Sequence, residues 1–174
     1  MTQARLWSAF LLDTSCPMRL DGLDRPPPSP PAYSDQERQQ VWEGLMALAE
    51  QGRLKLIKQV KEELKRWHPI ALSRLKPIKG TKMPRVNNEL RLRYQWLLAQ
   101  YPKLIPADPA FDPADPWLVV SAQQYGFTIV TEELPTSARK TRPRHGPPIP
   151  DLCDELAIPW TSLRALARAE GWLQ

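Results

Sequence analysis

The sequence is poor in the side chains that build soft-metal and redox sites. Its 174 residues include two cysteines, Cys16 and Cys153, and two histidines, His68 and His145. The two histidines lie far apart, so no zinc-ligand spacing is present, and no histidine stands beside either cysteine to activate its thiol. We therefore expect two reduced, partly buried cysteines and neither zinc nor thiol chemistry.

Long apolar runs are also missing. No run approaches the roughly 18 residues that cross a bilayer, and the amino terminus lacks the basic segment and apolar core of a signal peptide. These absences predict a cytoplasmic location without membrane contact. The length suits a single domain over residues 1–174, and the net charge of +5, with a pI near 9.4, favours an anionic partner such as nucleic acid.

Blocks of apolar and polar residues predict a succession of strands and helices. Short apolar runs predict buried strands at 10–12, 54–57 and 127–131, and an edge strand at 158–160. Helical periodicity and capping signals predict helices from Ser34 to about Gly52, then over 58–67, 87–100, about 115–125, 150–156 and about 162–171. Glu37 completes a capping box with Ser34, Asp115 is the predicted N-cap of the fourth helix, and Gly126 is its predicted stop.

Strands that alternate with helices predict an α/β fold in which a central, mostly parallel sheet carries helices on both faces. Two segments interrupt the alternation. The proline-dense run RLDGLDRPPPSPPAY, residues 19–33, predicts a surface loop because proline excludes regular helix and central strand. Residues 69–106 predict a helical insertion, made of a linker, LSRLKPIKGTKMPR, and the helix over 87–100.

Acidic side chains follow or flank the predicted strands. They are Asp13 after the first strand, Glu62 and Glu63 on the helix after the second, Asp115 at the start of a helix, and Glu132 and Glu133 after the third strand. In a doubly wound parallel sheet all these positions fall on the edge where such folds bind ligands. Carboxylates gathered there repel one another unless a hard cation neutralises them, so the pattern predicts oxygen ligands for Mg²⁺ or Mn²⁺.

Four segments in order resemble the acidic motifs of the PIN-domain nuclease superfamily, namely LLDTS, VKEEL, ADPWLVVSAQQYG and FTIVTEE. The ordered set spans nearly the whole chain. The segment IPDLC, residues 149–153, further resembles a motif of uncharacterised PIN-like proteins related to VapC-type toxins. The resemblance implies a three-layer α/β/α sandwich and metal-dependent ribonuclease activity.

Carried over residue by residue, the resemblance makes Asp13, Glu63 and Asp115 metal ligands. It adds Glu133 as a fourth catalytic acid, at a position where the family pattern has aspartate. The alternatives to these acids are Glu62, Glu132 and Asp151. The hydroxyls of Thr14, Ser15 and Thr131 would orient carboxylates or metal-bound waters. Plain capping of the strand ends explains these hydroxyls equally well.

Clustered acids without a catalytic histidine suit hydrolysis of a phosphodiester by a metal-activated water. Two basic stretches, residues 74–85 and 137–145, are expected to attract the polyanion, although solvated surface is the other interpretation of such stretches. In the second stretch the predicted RNA-binding residues are Arg139, Lys140, Arg142 and Arg144.

The resemblance to VapC-type proteins also implies an antitoxin protein that would block the acidic pocket of this chain in a toxin–antitoxin pair. The apolar face of the last helix, with Leu163, Leu166 and Leu173, could serve a homodimer or pack on the sheet. Two other functions stay open. One is a catalytically inactive PIN-fold binding module, and the other is a DNA-processing PIN nuclease.

Overall fold

Four short strands form one parallel sheet in the structure, a computed structural model. It describes residues 9–24, 32–105, 108, 110, 112–139 and 146–174. The strands in these ranges are β1 (Phe10–Leu12), β2 (Leu54–Lys55), β3 (Thr128–Val130) and β4 (Trp160–Thr161). Their order across the sheet is β2-β1-β3-β4, with every neighbouring pair parallel. The carboxyl ends of all four strands therefore lie along one edge.

The same ranges contain eight α-helices. They are α1 (Ser15–Leu20), α2 (Asp35–Glu50), α3 (Lys58–Trp67), α4 (Pro69–Leu75), α5 (Asn88–Gln100), α6 (Ala114–Tyr125), α7 (Ile149–Glu155) and α8 (Leu163–Ala169). Short 3₁₀ helices occur at Lys79–Thr81, Pro102–Leu104 and Thr136–Ala138. Among the helices of the described ranges, none has the length and apolar character needed to cross a bilayer.

The helices cover both faces of the sheet. Crossovers between parallel strands are right-handed, and β2 and β3 lie on opposite sides of β1, so the helices after β1 and those after β2 fall on opposite faces. On one face α8 packs beside α2, where Arg164 donates to Glu37 at 2.8 Å. On the other face α3, α5 and α7 contact α6. The predicted α/β fold with its three-layer α/β/α arrangement is confirmed, and the described part of the sheet is entirely parallel.

The central strands are buried because both faces of the sheet are covered. Every residue of β1 and β3 is buried, which explains why β1 is a continuous apolar run and why Ile129 and Val130 of β3 are both apolar, without alternation. The predicted capping box of α2 is present, with the Ser34 hydroxyl accepting from the Glu37 amide at 3.2 Å. Helix α3 spans the predicted residues and ends at Trp67, with His68, the residue before Pro69, as its C-cap.

Two segments that the sequence predicts as loop or linker contain helix. Helix α1 includes Arg19 and Leu20, which the sequence assigns to the proline-rich loop, and Pro17 is tolerated because it lies in the first turn. Residues 25–31 of that loop lie outside the described part of the chain. Helix α4 occupies the start of the predicted linker, because Pro69 stands at the first helical position, where its missing N–H costs nothing.

Helix α6 begins one residue before the predicted cap. Asp115 is therefore not the N-cap residue; that position belongs to Pro113, and Asp115 lies in the first turn. The cause is long-range, because the N–H of Ala114 donates to the Glu63 carboxylate at 3.0 Å and so needs no local cap. At the other end, Gly126 adopts a left-handed conformation with φ of 68° and ends the helix as predicted.

The last strand and helix are also shifted slightly. The predicted edge strand at 158–160 becomes β4 at Trp160–Thr161, which pairs with β3 at the edge of the sheet. Ser162 is the N-cap of α8, and its hydroxyl accepts from the Ala165 amide at 3.1 Å.

Candidate active site

Asp13 lies at the carboxyl end of β1, between two hydroxyl groups. Its backbone N–H donates to the carbonyl of Val130 at 2.9 Å, so pairing with β3 continues to this residue and fixes its position. The buried carboxylate accepts from the Thr131 hydroxyl at 2.8 Å and from the Ser15 hydroxyl. Because Thr131 follows β3, two adjacent strand ends together orient one carboxylate.

Glu63 reaches the same edge from helix α3. Its Oε2 accepts from the Thr14 hydroxyl at 2.5 Å, and its Oε1 accepts from the Ala114 N–H at 3.0 Å. The side chain is therefore tied to the residue after Asp13 and to the first turn of α6. Glu62, the sequence alternative, is exposed on the other side of α3 and pairs with Lys58 at 3.5 Å. The structure thus brings Glu63 to the site and leaves Glu62 outside it.

Asp115 is the acid of this group that the rest of the chain holds least. It lies in the first turn of α6, next to the residue that bonds Glu63, and it is partly exposed. Across the described ranges, no other residue donates a hydrogen bond to its carboxylate. Its oxygens are therefore available to a ligand, in contrast to those of Glu63.

The two glutamates after β3 point to different helices, since successive residues of extended chain face opposite sides. Glu133 accepts from the Ile149 N–H of α7 at 2.8 Å, and Glu132 accepts from the Leu163 N–H of α8 at 2.9 Å. Each carboxylate therefore satisfies an N–H at the start of a helix. The charge of Glu133 reaches Asp13 and Asp115, so Glu133 belongs to the cluster, whereas Glu132 lies 3.7 Å from Arg19 instead.

Electrostatics disfavour full ionisation of the cluster. Burial raises the pKa of Asp13, and hydrogen bonds from Ser15 and Thr131 oppose that rise. Burial is likewise the main cause that raises the pKa of Glu63 and of Glu133, with the charge of Asp13 adding to both. Desolvation, followed by the charges of Asp13, Glu133 and Glu63, raises the pKa of Asp115 well above its usual range. The carboxylates therefore repel one another when they are ionised, and a bound cation would offset that repulsion.

The donor chemistry of this cluster, which consists of Asp13, Glu63, Asp115 and Glu133, fits a hard divalent cation. All four residues offer carboxylate oxygens, the ligands that Mg²⁺ and Mn²⁺ prefer. As the side chains stand in the described part of the chain, no three acidic, histidine or cysteine groups form a ready-made coordination shell. Ligation would therefore require the carboxylates, and first of all that of Asp115, to turn toward a common centre.

The remaining predicted residues lie at the rim of the cluster or outside the described ranges. Asp151, in the first turn of α7, accepts from the Thr136 N–H at 3.0 Å and so holds the loop after Glu133. Arg139 donates to the Leu134 carbonyl at 2.7 Å and lies 3.8 Å from Glu133, so this predicted RNA contact is engaged within the chain. The other predicted RNA contacts, Lys140, Arg142 and Arg144, fall outside the described residues.

A polar constellation beside the cluster has no counterpart among the sequence predictions. Asp112 accepts from the Gln59 amide at 2.9 Å and from the Trp117 indole N–H at 2.7 Å, which joins α3 to α6. Gln59 lies one turn before Glu63 on the same face of α3, and that spacing of four residues is the signal that could have identified it. Asp112 has no comparable signal, because it precedes α6 in irregular chain.

Comparisons with known proteins identify a family but no described activity. No curated protein and no solved structure matches the chain. A family model described as "Domain of unknown function (DUF4411)" matches residues 31–173, a range that contains Glu63, Asp115 and Glu133 and begins after Asp13. Since the match covers most of the sequence, the chain belongs to the family described as Domain of unknown function (DUF4411).

Proposed function

We propose that this chain is a metal-dependent endoribonuclease of the PIN type, which hydrolyses RNA phosphodiester bonds with Mg²⁺ or Mn²⁺. The observation that carries the proposal is the meeting of Asp13, Glu63 and Asp115, from distant parts of the chain, at the carboxyl edge of a parallel sheet. Desolvation, followed by the charges of Asp13, Glu133 and Glu63, raises the pKa of Asp115, and no other residue of the described chain donates a hydrogen bond to its carboxylate. Perturbed acids without a structural partner are typical of functional sites.

The residues at the site have different roles in the proposed hydrolysis. Ser15 and Thr131 hold Asp13 in one orientation and favour its ionised form, and Thr14 does the same for Glu63. The Asp115 carboxylate, to which no other residue of the described chain donates a hydrogen bond, is available to ligate a divalent cation. A cation held by Asp13, Glu63 and Asp115 would supply Lewis-acid stabilisation of the charge that develops on the phosphate.

The test compares two neighbouring glutamates in an RNA cleavage assay with Mg²⁺ or Mn²⁺. Glu63→Gln should reduce cleavage at least about 100-fold, because Glu63 belongs to the cluster. Glu62→Gln is the matched control and should retain activity, because Glu62 is exposed and its ion-pair partner among the described residues is Lys58, outside the cluster. Asp13→Asn should abolish cleavage with the fold intact, and EDTA should do so without any substitution.

Two alternatives are separated by the same assay. An inactive binding module is favoured by the structural hydrogen bonds of Glu63 and Glu133, which would be kept without any chemistry. Absence of cleavage together with absence of Mn²⁺ binding in calorimetry would establish that alternative and overturn the nuclease. A DNA-processing nuclease would cleave flap DNA faster than RNA. Full activity of Asp13→Asn would remove the cluster from either mechanism.

The proposed biological context is the toxin half of a toxin–antitoxin pair acting in the cytoplasm. Support comes from the resemblance of residues 149–153 to VapC-related proteins and from the partly exposed Asp115, whose carboxylate accepts no hydrogen bond from another residue of the described chain. The proposed partners are RNA and an antitoxin protein. A homodimer through the last helix is not part of the proposal, since Leu163 and Leu166 are buried inside the chain.

A further inference from the structure

A pocket of about 390 Å³ lies beside the acidic cluster. Leu56 and Ile57, which follow β2, form part of its wall, so this wall lies at the same carboxyl edge of the sheet as Asp13. Gln59, also in the wall, precedes Glu63 by one turn of α3, a rise of about 6 Å. The pocket and the cluster are therefore adjacent along one helix.

One wall of the pocket is apolar and fixed in position. It includes Met83, Val86 and Trp117, and the exposed fraction of Val86 is 43%. The Trp117 ring stacks on Tyr94 with centroids 4.0 Å apart, and its N–H donates to Asp112 at 2.7 Å. A preorganised aromatic and apolar wall of this kind suits the flat face of a nucleobase.

The pocket lining also carries positive charge that the described chain does not neutralise. Lys61, Lys82 and Arg85 line the pocket, and none of their side chains makes an ion pair or hydrogen bond within the described ranges. Partial burial, and then the charge of Lys82, lower the pKa of Lys61. Cations held near each other without an acidic partner would be stabilised by an anion between them.

We propose that this pocket, called here the Lys61 pocket after Lys61, Lys82, Arg85 and Trp117, binds a nucleotide of single-stranded RNA. The phosphate groups contact the three cations, and the base lies on the apolar wall. The bound nucleotide holds the adjoining part of the strand at the acidic cluster, one helical turn away. This inference rests on the proposed ribonuclease function and assigns a substrate contact to residues other than the four cations predicted from the sequence, Arg139, Lys140, Arg142 and Arg144.

The test measures RNA binding without cleavage. A fluorescein-labelled single-stranded RNA of mixed sequence is titrated with protein in EDTA, by anisotropy, at several KCl concentrations from about 50 to 300 mM. The triple variant Lys61→Gln, Lys82→Gln, Arg85→Gln should bind about tenfold or more weakly. The slope of log K against log salt, which is negative, should become shallower by about 2, since each phosphate neutralised on a single strand contributes about 0.7 to its magnitude.

The control variant removes the same charge elsewhere, through Lys65→Gln, Lys103→Gln and Arg168→Gln, which are exposed positions outside the pocket and outside both basic stretches. Its affinity for RNA and the steepness of its salt dependence should decrease distinctly less than those of the pocket variant. A charge-conserving variant, Lys61→Arg with Lys82→Arg, should keep both, which excludes misfolding as the cause. Equal losses in the two triple variants, or an acidic peptide that binds the pocket when RNA does not, would overturn the inference.

The outcomes also separate the pocket from the nuclease. Pocket-dependent RNA binding without cleavage in Mg²⁺ or Mn²⁺ would support the Lys61 pocket and contradict the proposed activity. The opposite outcome is that the wild type cleaves RNA while the pocket variant and the control variant bind RNA equally well. That outcome would contradict the Lys61 pocket and would still support the proposed activity.

Discussion

Asp115 is the acid of the cluster whose ionisation is least compensated, because no other residue of the described chain donates a hydrogen bond to its carboxylate. Desolvation and then the charges of Asp13, Glu133 and Glu63 raise its pKa well above the usual 3.8. A carboxyl group whose pKa is higher in the folded than in the unfolded protein stabilises the fold most when it is protonated, below its unfolded-state pKa. That stabilisation is lost as the pH rises through its folded-state pKa. In the absence of metal, ionised Asp115 therefore destabilises the fold near neutral pH.

We predict that Asp115→Asn stabilises the metal-free protein at pH 7.5 by on the order of 1 kcal/mol. The gain should shrink at pH 5, where the wild-type cluster binds protons more fully. Urea unfolding in EDTA at the two pH values measures both effects. Mn²⁺ should stabilise the wild type, because it binds the folded protein, and should not stabilise the variant, which lacks the Asp115 carboxylate as a metal ligand. Destabilisation by Asp115→Asn at pH 7.5 would contradict the assigned repulsion.

Much of the candidate site could be predicted at the level of residues, because acids placed after parallel strands must share an edge. Asp13 and Glu133 follow from strand ends, and Thr14, Ser15 and Thr131 are expected beside the carboxylates. The choice between Glu62 and Glu63 depends on which side of α3 faces the sheet, and the structure places Glu63 inward. The bond from Ala114 to Glu63 joins residues 51 positions apart, and local pattern carries no signal for it.

Close backbone contact fixes the 3₁₀ helix at Lys79–Thr81 against α2 and β2. A β-carbon at Gly80 would overlap the carbonyl oxygen of Ala49 and lie 3.1 Å from the backbone of Gly52. The same segment accepts from the Leu56 N–H through Thr81 at 3.0 Å. Because residues 82–86 follow directly and line the Lys61 pocket, this contact also positions the pocket wall.

We predict that Gly80→Ala lowers the free energy of unfolding by about 1 to 3 kcal/mol, because the obstructing atom belongs to the backbone and cannot rotate away. Gly44→Ala is the comparison, since its β-carbon would overlap the Trp172 ring. That ring belongs to a side chain that can turn, so the loss of stability should be smaller. Urea denaturation of both variants decides the order, and a larger loss for Gly44→Ala would contradict it.

Elements with strong local signals could be predicted well, and elements set by distant contacts could not. Helix α2 carries a capping box and α3 ends before a proline, so both could be placed from sequence. Helix α1 lies at the start of a proline-rich stretch, where composition favours a loop. The start of α6 depends on Glu63, whose position relative to Ala114 is decided only when the chain folds.

Charge is distributed unevenly over the whole molecule. The net charge is +5, yet the four carboxylates of the cluster lie together at one edge of the sheet, next to the cations of the Lys61 pocket. If the cluster binds the proposed divalent cation, this edge would hold a polyanion beside that cation, and an inhibitor that carries its own positive charge would compete for the carboxylates. An arginine side chain would form bidentate contacts with the carboxylates and replace the charge of the metal.

We predict that expression of the chain alone arrests bacterial growth and that Asp13→Asn removes the arrest, because the proposed toxin acts through the acidic cluster. Co-expression of a cognate antitoxin should restore growth. In the purified complex, an arginine of the antitoxin should lie among Asp13, Glu63 and Asp115, and its replacement by alanine should restore cleavage. Glu62→Gln, outside the cluster, should arrest growth like the wild type. High-level production of the wild-type protein without harm and without a co-purifying partner would contradict the toxin and leave a housekeeping nuclease or an inactive binding module.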